Sequence, residues 1–470
     1  MIRGGNWNNG ANAGVFNSNL NNPRSNSNDN IGGRSAYRLQ PYGGVCAEQG
    51  TVFYGKRYGV QTIRDPFPFC FQEQKKCKLL RRRKRHTQHY FMDEEKEPFT
   101  IRDAWPEICS FEKLLEAHRN ARRCKRYRAE VMSFTAHLED NLLIVQKGLI
   151  DGTYELGPYR KLWVYIPKKR LVMALPYMDR IVQWSLYQYL NPIYDKTFIE
   201  DSYACRKNKG SHKAADRLQY WMRQVDRKPG NGWYYLKLDI SKYFYRVNHE
   251  ILLSILGRKI KDLDMMNCIR GIVNSNAEPF GLPRGRAPQD VPPEEWLYDV
   301  GMPIGNLTSQ LFANIYLNEL DQYCKHTLKI HYYIRYMDDI IILAPDKATL
   351  HEWKSAIETF LRDKLALDLN KKTMIRPVKS GVEFVGVMIY TTHRKLRKST
   401  VRRIKLEVRK ICSMHFSGRM SKEAFDRRVA SIRGLLEHTN TRNLRRRLNK
   451  IYAAEKAKEG ESNDFSKKQD

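Results

Sequence analysis

Apolar positions recur at helical spacing through "SFEKLLEAHRNARRCKRYRAEVMSFTAHLEDNLLIVQKGLIDG", residues 110–152. This pattern predicts two helices, with Ser110 as N-cap and Gly152 as the stop. "RKLWVYIPKKRLVMALP" alternates like two strands around a basic turn, and "YMDRIVQWSLYQYLNPIY" returns to helical spacing. Further on, "GWYYLKLDI" reads as a buried strand, "HEILLSILGRKI" as a helix and residues 277–300 as a Pro/Gly-rich loop. "NLTSQLFANIYLNELDQYCKHT" predicts a long helix starting near Asn306 or Thr308. "IHYYIRYMDDIIILAP" predicts two apolar strands joined by a tight turn that holds two Asp. From His393 onward the pattern is helical, basic and amphipathic. Helices and strands that mix without strict alternation indicate an α+β fold. Residues 1–91 show neither period and read as a disordered extension, with order beginning near Phe99.

Composition sharpens this picture. No apolar run approaches the ~20 residues of a membrane-spanning helix, and the Asn-rich start is unlike a signal peptide, so a cytoplasmic protein with no membrane partner is expected. The chain carries 83 Lys and Arg against 51 Asp and Glu, a net charge of +32. Residues 1–91 hold fifteen basic and four acidic residues, and residues 394–450 hold nineteen and four. A balanced middle between basic flanks points to a polyanion partner, most simply a phosphate backbone. The nine cysteines lack a paired framework, which argues for a reducing compartment. Cys70, Cys77, His86 and His89 could be imagined as a zinc site, but their spacing is unlike the usual finger patterns.

Chemistry concentrates at three acids. A strand ending in "KLDI" beside a hairpin turning on "YMDD" would bring together Asp239, Asp338 and Asp339. Three carboxylates so close repel unless cations neutralise them, and a pair of Mg2+ ions ~4 Å apart is a known arrangement for in-line phosphoryl transfer. Taken singly, Asp239 could cap a strand end and the Asp pair could belong to an ordinary turn. Adjacent acids flanked by apolar strand are harder to explain without a metal.

Several motifs in order resemble those of the reverse transcriptases, from about Phe99 to Leu448. "LKLDISKYF" is similar to the family's first catalytic motif, "YMDD" to its second, and "GVEFVGVMIY" to its hydrophobic grip on the primer. The resemblance implies a right-hand polymerase: N-terminal helices and fingers (92–235), a palm (236–392), a basic helical thumb (393–450) and a flexible tail (451–470). It implies two Mg2+ held by Asp239, Asp338, Asp339 and Ile240, and dNTPs gripped by Lys168 and Arg170 of "IPKKRLV", Arg206 of "SYACRKNKGSH" and Gly305. It further implies Phe244 as an aromatic gate against the 2′-hydroxyl and Lys372 of "LNKKT" as general acid for pyrophosphate. The thumb, with Arg402, Arg403, Arg445, Arg446 and Arg447, would cradle the hybrid of template RNA and cDNA through its phosphates.

One motif departs from the common family pattern Gln-Gly-x-x-x-Ser-Pro: here it reads "IGNLTSQ", Ile304 to Gln310. This variant, with "SYACRKNKGSHKAADRLQY" and "LLEHTNTRNLRRRL", resembles the reverse transcriptases of diversity-generating retroelements. Those enzymes copy a template-repeat RNA with errors opposite adenine and work with a small basic accessory protein, the variability determinant. Ile304 and Gln310 are the positions expected to affect fidelity. Ile304 lacks a hydrogen-bonding handle, and Gln310 restores a backbone donor where the pattern has Pro. Between Asn6 and Asn30 there are eleven asparagines in twenty-five residues. Asn codons are adenine-rich, so residues 1 to about 36 are expected to be a translated template repeat and 37–91 translated spacer, with Met92 the true start. A retron-like or antiviral-defence reverse transcriptase of ordinary fidelity, and a non-catalytic RNA-binding protein, stand as alternatives.

Overall fold

The apolar run "IIIL" sits inside a four-stranded antiparallel sheet covered on both faces, which explains why it does not alternate with polar residues. The structure is a computed structural model describing residues 99–165, 170–228, 232–274 and 278–466, with side chains to 458. Residues from Thr100 onward fall in one compact unit; a second, Ser27–Phe99, lies outside the described residues except for its last one. The expected 1–91 extension, the Cys70–His89 array and Lys168 also lie outside them.

The chain opens with α1 (Trp105–Ile108), α2 (Phe111–Ala121), α3 (Ala129–Ala136) and α4 (Leu138–Ile150). Ser110 caps α2 as expected, its hydroxyl accepting from the Lys113 N–H at 3.4 Å. Three helices follow that cap instead of two. The chain leaves the helical region at Cys124 (φ +57°), and again at His137 (φ −122°, ψ 52°). β1 (Arg160–Val164) and β2 (Arg170–Ala174) form the expected hairpin, followed by α5 (Tyr177–Asp195) and α6 (Ser211–Asp226).

β3 (Tyr234–Asp239) precedes α7 (His249–Gly257), α8 (Leu263–Val273) and α9 (Leu307–Gln322). Then come β4 (Tyr333–Tyr336), β5 (Asp339–Ala344), α10 (Lys347–Leu365) and β6 (Met374–Pro377). These strands make the sheet in the order β4-β5-β3-β6, every pair antiparallel. Leu236, Leu238, Ile340 and Ile342 join the large helical core, while Tyr235, Ile341 and Leu343 join a second core with Leu218 and Met222 of α6. Strand periodicity thus sends alternate side chains into two cores. Each fully buried Ile contributes about 2 kcal/mol.

The Pro/Gly-rich segment is pinned, not loose. Phe280, Leu282, Val291 and Trp296 pack with Leu171 and Met173 of β2. A three-stranded sheet follows: β7 (Val382–Phe384), β8 (Val387–Ile389) and β9 (Arg394–Leu396). Its last strand occupies residues expected to be helical. α11 (Lys398–Phe416), α12 (Lys422–Glu437) and α13 (Arg442–Ser466) then close on a core of Ile404, Ile411, Leu435, Leu436, Leu444 and Leu448. α13 continues to Ser466, into the expected flexible tail. The mixture of helices with antiparallel sheets is the expected α+β class. Among the described residues no helix is long and apolar enough to cross a membrane.

Candidate active site

The register of two central strands decides where the acids meet. Asp239 ends β3, Asp339 begins β5, and the two are direct antiparallel partners. Asp338 lies in the tight turn between β4 and β5, where Met337 takes a left-handed φ of +55°. The Ile240 N–H donates to the Asp338 carbonyl at 3.4 Å, so the chain after β3 is fastened to that turn. The structure therefore gathers Asp239, Asp338 and Asp339 at one end of the sheet, with Ile240 beside them.

Electrostatics mark these acids as unusual. Burial, then the nearby charges of Asp239 and Asp339, push the Asp338 carboxyl up to about 7, opposed in part by Arg170. Burial also raises Asp339, to about 6, although the Lys237 ammonium opposes it. Lys237 Nζ stands 3.3 Å from Asp339 Oδ1 and donates to the Glu383 carbonyl at 2.7 Å. Asp339 Oδ1 is buried without a well-formed hydrogen bond. Desolvated carboxylates that repel one another are stabilised by a cation, and their hard oxygens are the donors Mg2+ takes. Among the described residues no three His, Cys, Asp or Glu side chains form a ready-made metal cage. The donor chemistry fits Mg2+ without a preformed coordination shell.

Neighbouring segments brace this end of the sheet. Asn370 donates its side-chain amide to Asp239 Oδ2 at 2.9 Å and its backbone N–H to the Asp239 carbonyl at 2.7 Å. Lys372, two residues on, is exposed in the same turn. Phe244 is 7% exposed, meets Tyr243 edge-on, and its carbonyl accepts from the Met302 N–H at 2.7 Å. Arg170 opens β2 and is partly buried, and its charge reaches Asp338.

The "IGNLTSQ" segment joins β2 to the start of α9. The Met173 N–H donates to the Ile304 carbonyl at 2.8 Å. Gly305 has φ +137°, and a Cβ there would lie 2.4 Å from the Met173 carbonyl oxygen, so only glycine fits. Ile304 is 4% exposed and Gln310 fully buried, its Oε1 accepting from Cys205 Sγ at 3.1 Å. Asn306 sits at the N-cap position, but its side chain donates to Tyr159 Oη instead of capping the helix.

Arg206 is held by its own chain. Its guanidinium pairs with Asp195 at 2.6 Å and donates to the Ile199 and Ser202 carbonyls. That geometry ties Arg206 to the end of α5. Arg402, Arg445, Arg446 and Arg447 are exposed, whereas Arg403 is partly buried and its pKa is lowered by desolvation. Arg445 to Arg447 lie between Leu444 and Leu448, which face the helical core.

Lys237 and Asn370 were not singled out from sequence. Lys237 had a signal: two residues before Asp239 on a strand, it shares that residue's face. Arg335, a charged residue inside an apolar strand, had one too.

Residues 165–389 match the reverse transcriptase (RNA-dependent DNA polymerase) family. The chain is 27% identical over 303 residues to Protein YkfC of Escherichia coli, covering 56% of this chain and 73% of that protein. It is 22% identical over 334 residues to the group II intron-encoded protein LtrA of Lactococcus lactis subsp. cremoris, covering 56% of this chain and 51% of that one, about half its length. A solved structure of telomerase from Candida tropicalis in complex with a fragment of telomeric RNA aligns with 60% of this chain and 53% of its own, at 14% identity and a TM-score of 0.38.

Proposed function

We propose, from the premise that residues 165–389 are a reverse transcriptase domain with group II intron-like relatives, that this protein copies an RNA template into cDNA. The observation that carries the reading is the Asp239–Asp339 register with Asp338 in the adjoining turn. In this reading the β1–β2 hairpin belongs to the fingers, the four-stranded sheet to the palm and α11–α13 to the thumb. Asp239, Asp338, Asp339 and the Ile240 carbonyl would hold two Mg2+, which when bound lower the pKa of a primer 3′-hydroxyl and steady the leaving pyrophosphate. Arg170 and Lys168 would orient the incoming triphosphate, Phe244 would press on its sugar, and Lys372 would protonate pyrophosphate. The exposed Arg445, Arg446 and Arg447 would bind the phosphates of the RNA–cDNA hybrid.

The finer proposal is synthesis with errors opposite adenine, as in a diversity-generating retroelement, with a variability determinant protein as partner. Its support is "IGNLTSQ": Ile304 is buried where the common pattern puts a polar side chain, and Gly305 brings the segment against β2. Loss of a hydrogen-bonding handle is worth ~1 to 3 kcal/mol of discrimination, enough for frequent errors. The match to a group II intron-encoded protein leaves open a second reading, a retron-like or antiviral-defence reverse transcriptase of ordinary fidelity. Sequencing cDNA made on an adenine-rich RNA separates the two. Substitutions concentrated at template adenines support the first, and evenly spread rare errors support the second.

A further inference from the structure

We infer that Arg335 and Asp321 form a buried positioning device that sets the Met337–Asp338 turn and ties it to α9; its catalytic consequence rests on the polymerase reading above. Both side chains are 0% exposed. Arg335 Nε and Nη2 grip the Asp321 carboxylate at 2.6 to 3.0 Å, a two-pronged pair near the end of α9. Tyr333 Oη donates to the same carboxylate at 2.7 Å. Nη1 points the other way, donating to Asn314 Oδ1 and to the Met337 carbonyl, each at 3.2 Å. Asn314 is itself held, its amide donating to the Ala204 carbonyl at 2.9 Å. The strand is fixed as well, because the Arg335 N–H donates to the Asp201 carbonyl and its own carbonyl accepts from the Tyr203 N–H.

Stability alone does not explain this arrangement. Two charges removed from water are often replaced by well-packed apolar residues at no net loss. What an apolar pair cannot supply is the remaining guanidinium donor, which reaches the carbonyl of the one left-handed residue in the turn. Met337 is not glycine, so its positive φ is held by its surroundings. Releasing its carbonyl lets the turn relax and carries Asp338 away from Asp239 and Asp339. The same helix begins two residues after Gly305, so a rigid element runs from the "IGNLTSQ" contact with β2 to the catalytic turn.

The test compares the full chain with Arg335→Lys and with Arg335→Met/Asp321→Leu/Tyr333→Phe. The triple variant removes the charges and the tyrosine hydroxyl together. Urea unfolding, amide hydrogen exchange of residues 333–341, and primer-extension kinetics are read on each. The device predicts a triple variant that unfolds cooperatively at a modestly lower urea midpoint, since Asn314 Oδ1 and the Met337 carbonyl lose their donor, with faster exchange in the turn and a kcat lower on the order of 100-fold with dNTP KM within about 3-fold. Arg335→Lys keeps a charge for Asp321 but not the planar fork, so it shows the same slowed kcat and faster exchange to a smaller degree. A stably folded triple variant with native exchange and native kcat overturns the inference. Should the triple variant fail to fold, Arg335→Lys decides by the same two readouts. If the unaltered chain extends no primer, the polymerase reading falls, while the exchange comparison still judges the device.

Discussion

Replacing Gly305 by Ala tests the contact that joins β2 to α9. The new Cβ would meet the Met173 carbonyl oxygen at 2.4 Å in a backbone conformation of φ +137° that side chains rarely adopt. The strain of that conformation costs about 1 to 3 kcal/mol. Overpacking against a backbone atom that must retreat by at least about half an ångström adds about 1 to 3 kcal/mol. A total near 4 kcal/mol follows, within the range of large single-residue effects. Gly285 is the internal control: its φ is also positive, +78°, but nothing lies within 4 Å of a built Cβ. Gly285→Ala keeps only the conformational cost, about 1 to 2 kcal/mol. Urea unfolding measures both, with the midpoint shifted and the slope unchanged. If Gly305→Ala instead relaxes by moving β2 off α9, Arg170 moves with it and dNTP KM rises. A Gly305→Ala protein with the stability of Gly285→Ala and an unchanged KM would refute the close-approach argument.

Two further predictions concern charge. Exchanging Arg445, Arg446 and Arg447 for Ala lowers the salt dependence of hybrid binding, by about 0.7 to 0.9 in the log–log slope for each residue that contacts a phosphate, as read by filter binding across a salt series. An unchanged slope removes those residues from the interface. His118 is 1% exposed, stacked on Phe134, and lowered to about 4 by burial and by Arg122 and Arg119. It is neutral in the folded protein, so the stability it confers is complete above pH ~6.5 and is lost as pH falls toward 4. His118→Phe flattens that part of the stability profile, and a variant with the same acid-side slope as the parent would contradict this.

Local periodicity carried most of the architecture. The β1–β2 hairpin, α5, β3 and α9 follow directly from spacing, and the two apolar strands around "YMDD" suffice to suggest the meeting of three acids. The break between α2 and α3 was harder to read, because "RRCKRYR" is rich in the good helix formers Arg and Lys and holds no Gly or Pro to mark the left-handed turn at Cys124. The Asp195 partner of Arg206 was hidden for a related reason. A cation in a loop gives no sign that Asp195, eleven residues earlier, will capture it. Arg335 and Asp321 likewise become partners only when β4 lies along α9, a relation that no window of sequence contains. Pairing register supplied the site, and tertiary packing supplied what holds it.

The most direct test of the central claim is primer extension on an RNA template with dNTPs and Mg2+, comparing the full chain with Asp338→Ala. The account predicts cDNA from the unaltered chain, dependent on Mg2+, and a loss of at least about 1,000-fold in the variant, since removing one acid from a set that acts as a unit abolishes its chemistry. RNA binding without extension by the unaltered chain, or extension that survives the loss of Asp338, would contradict it.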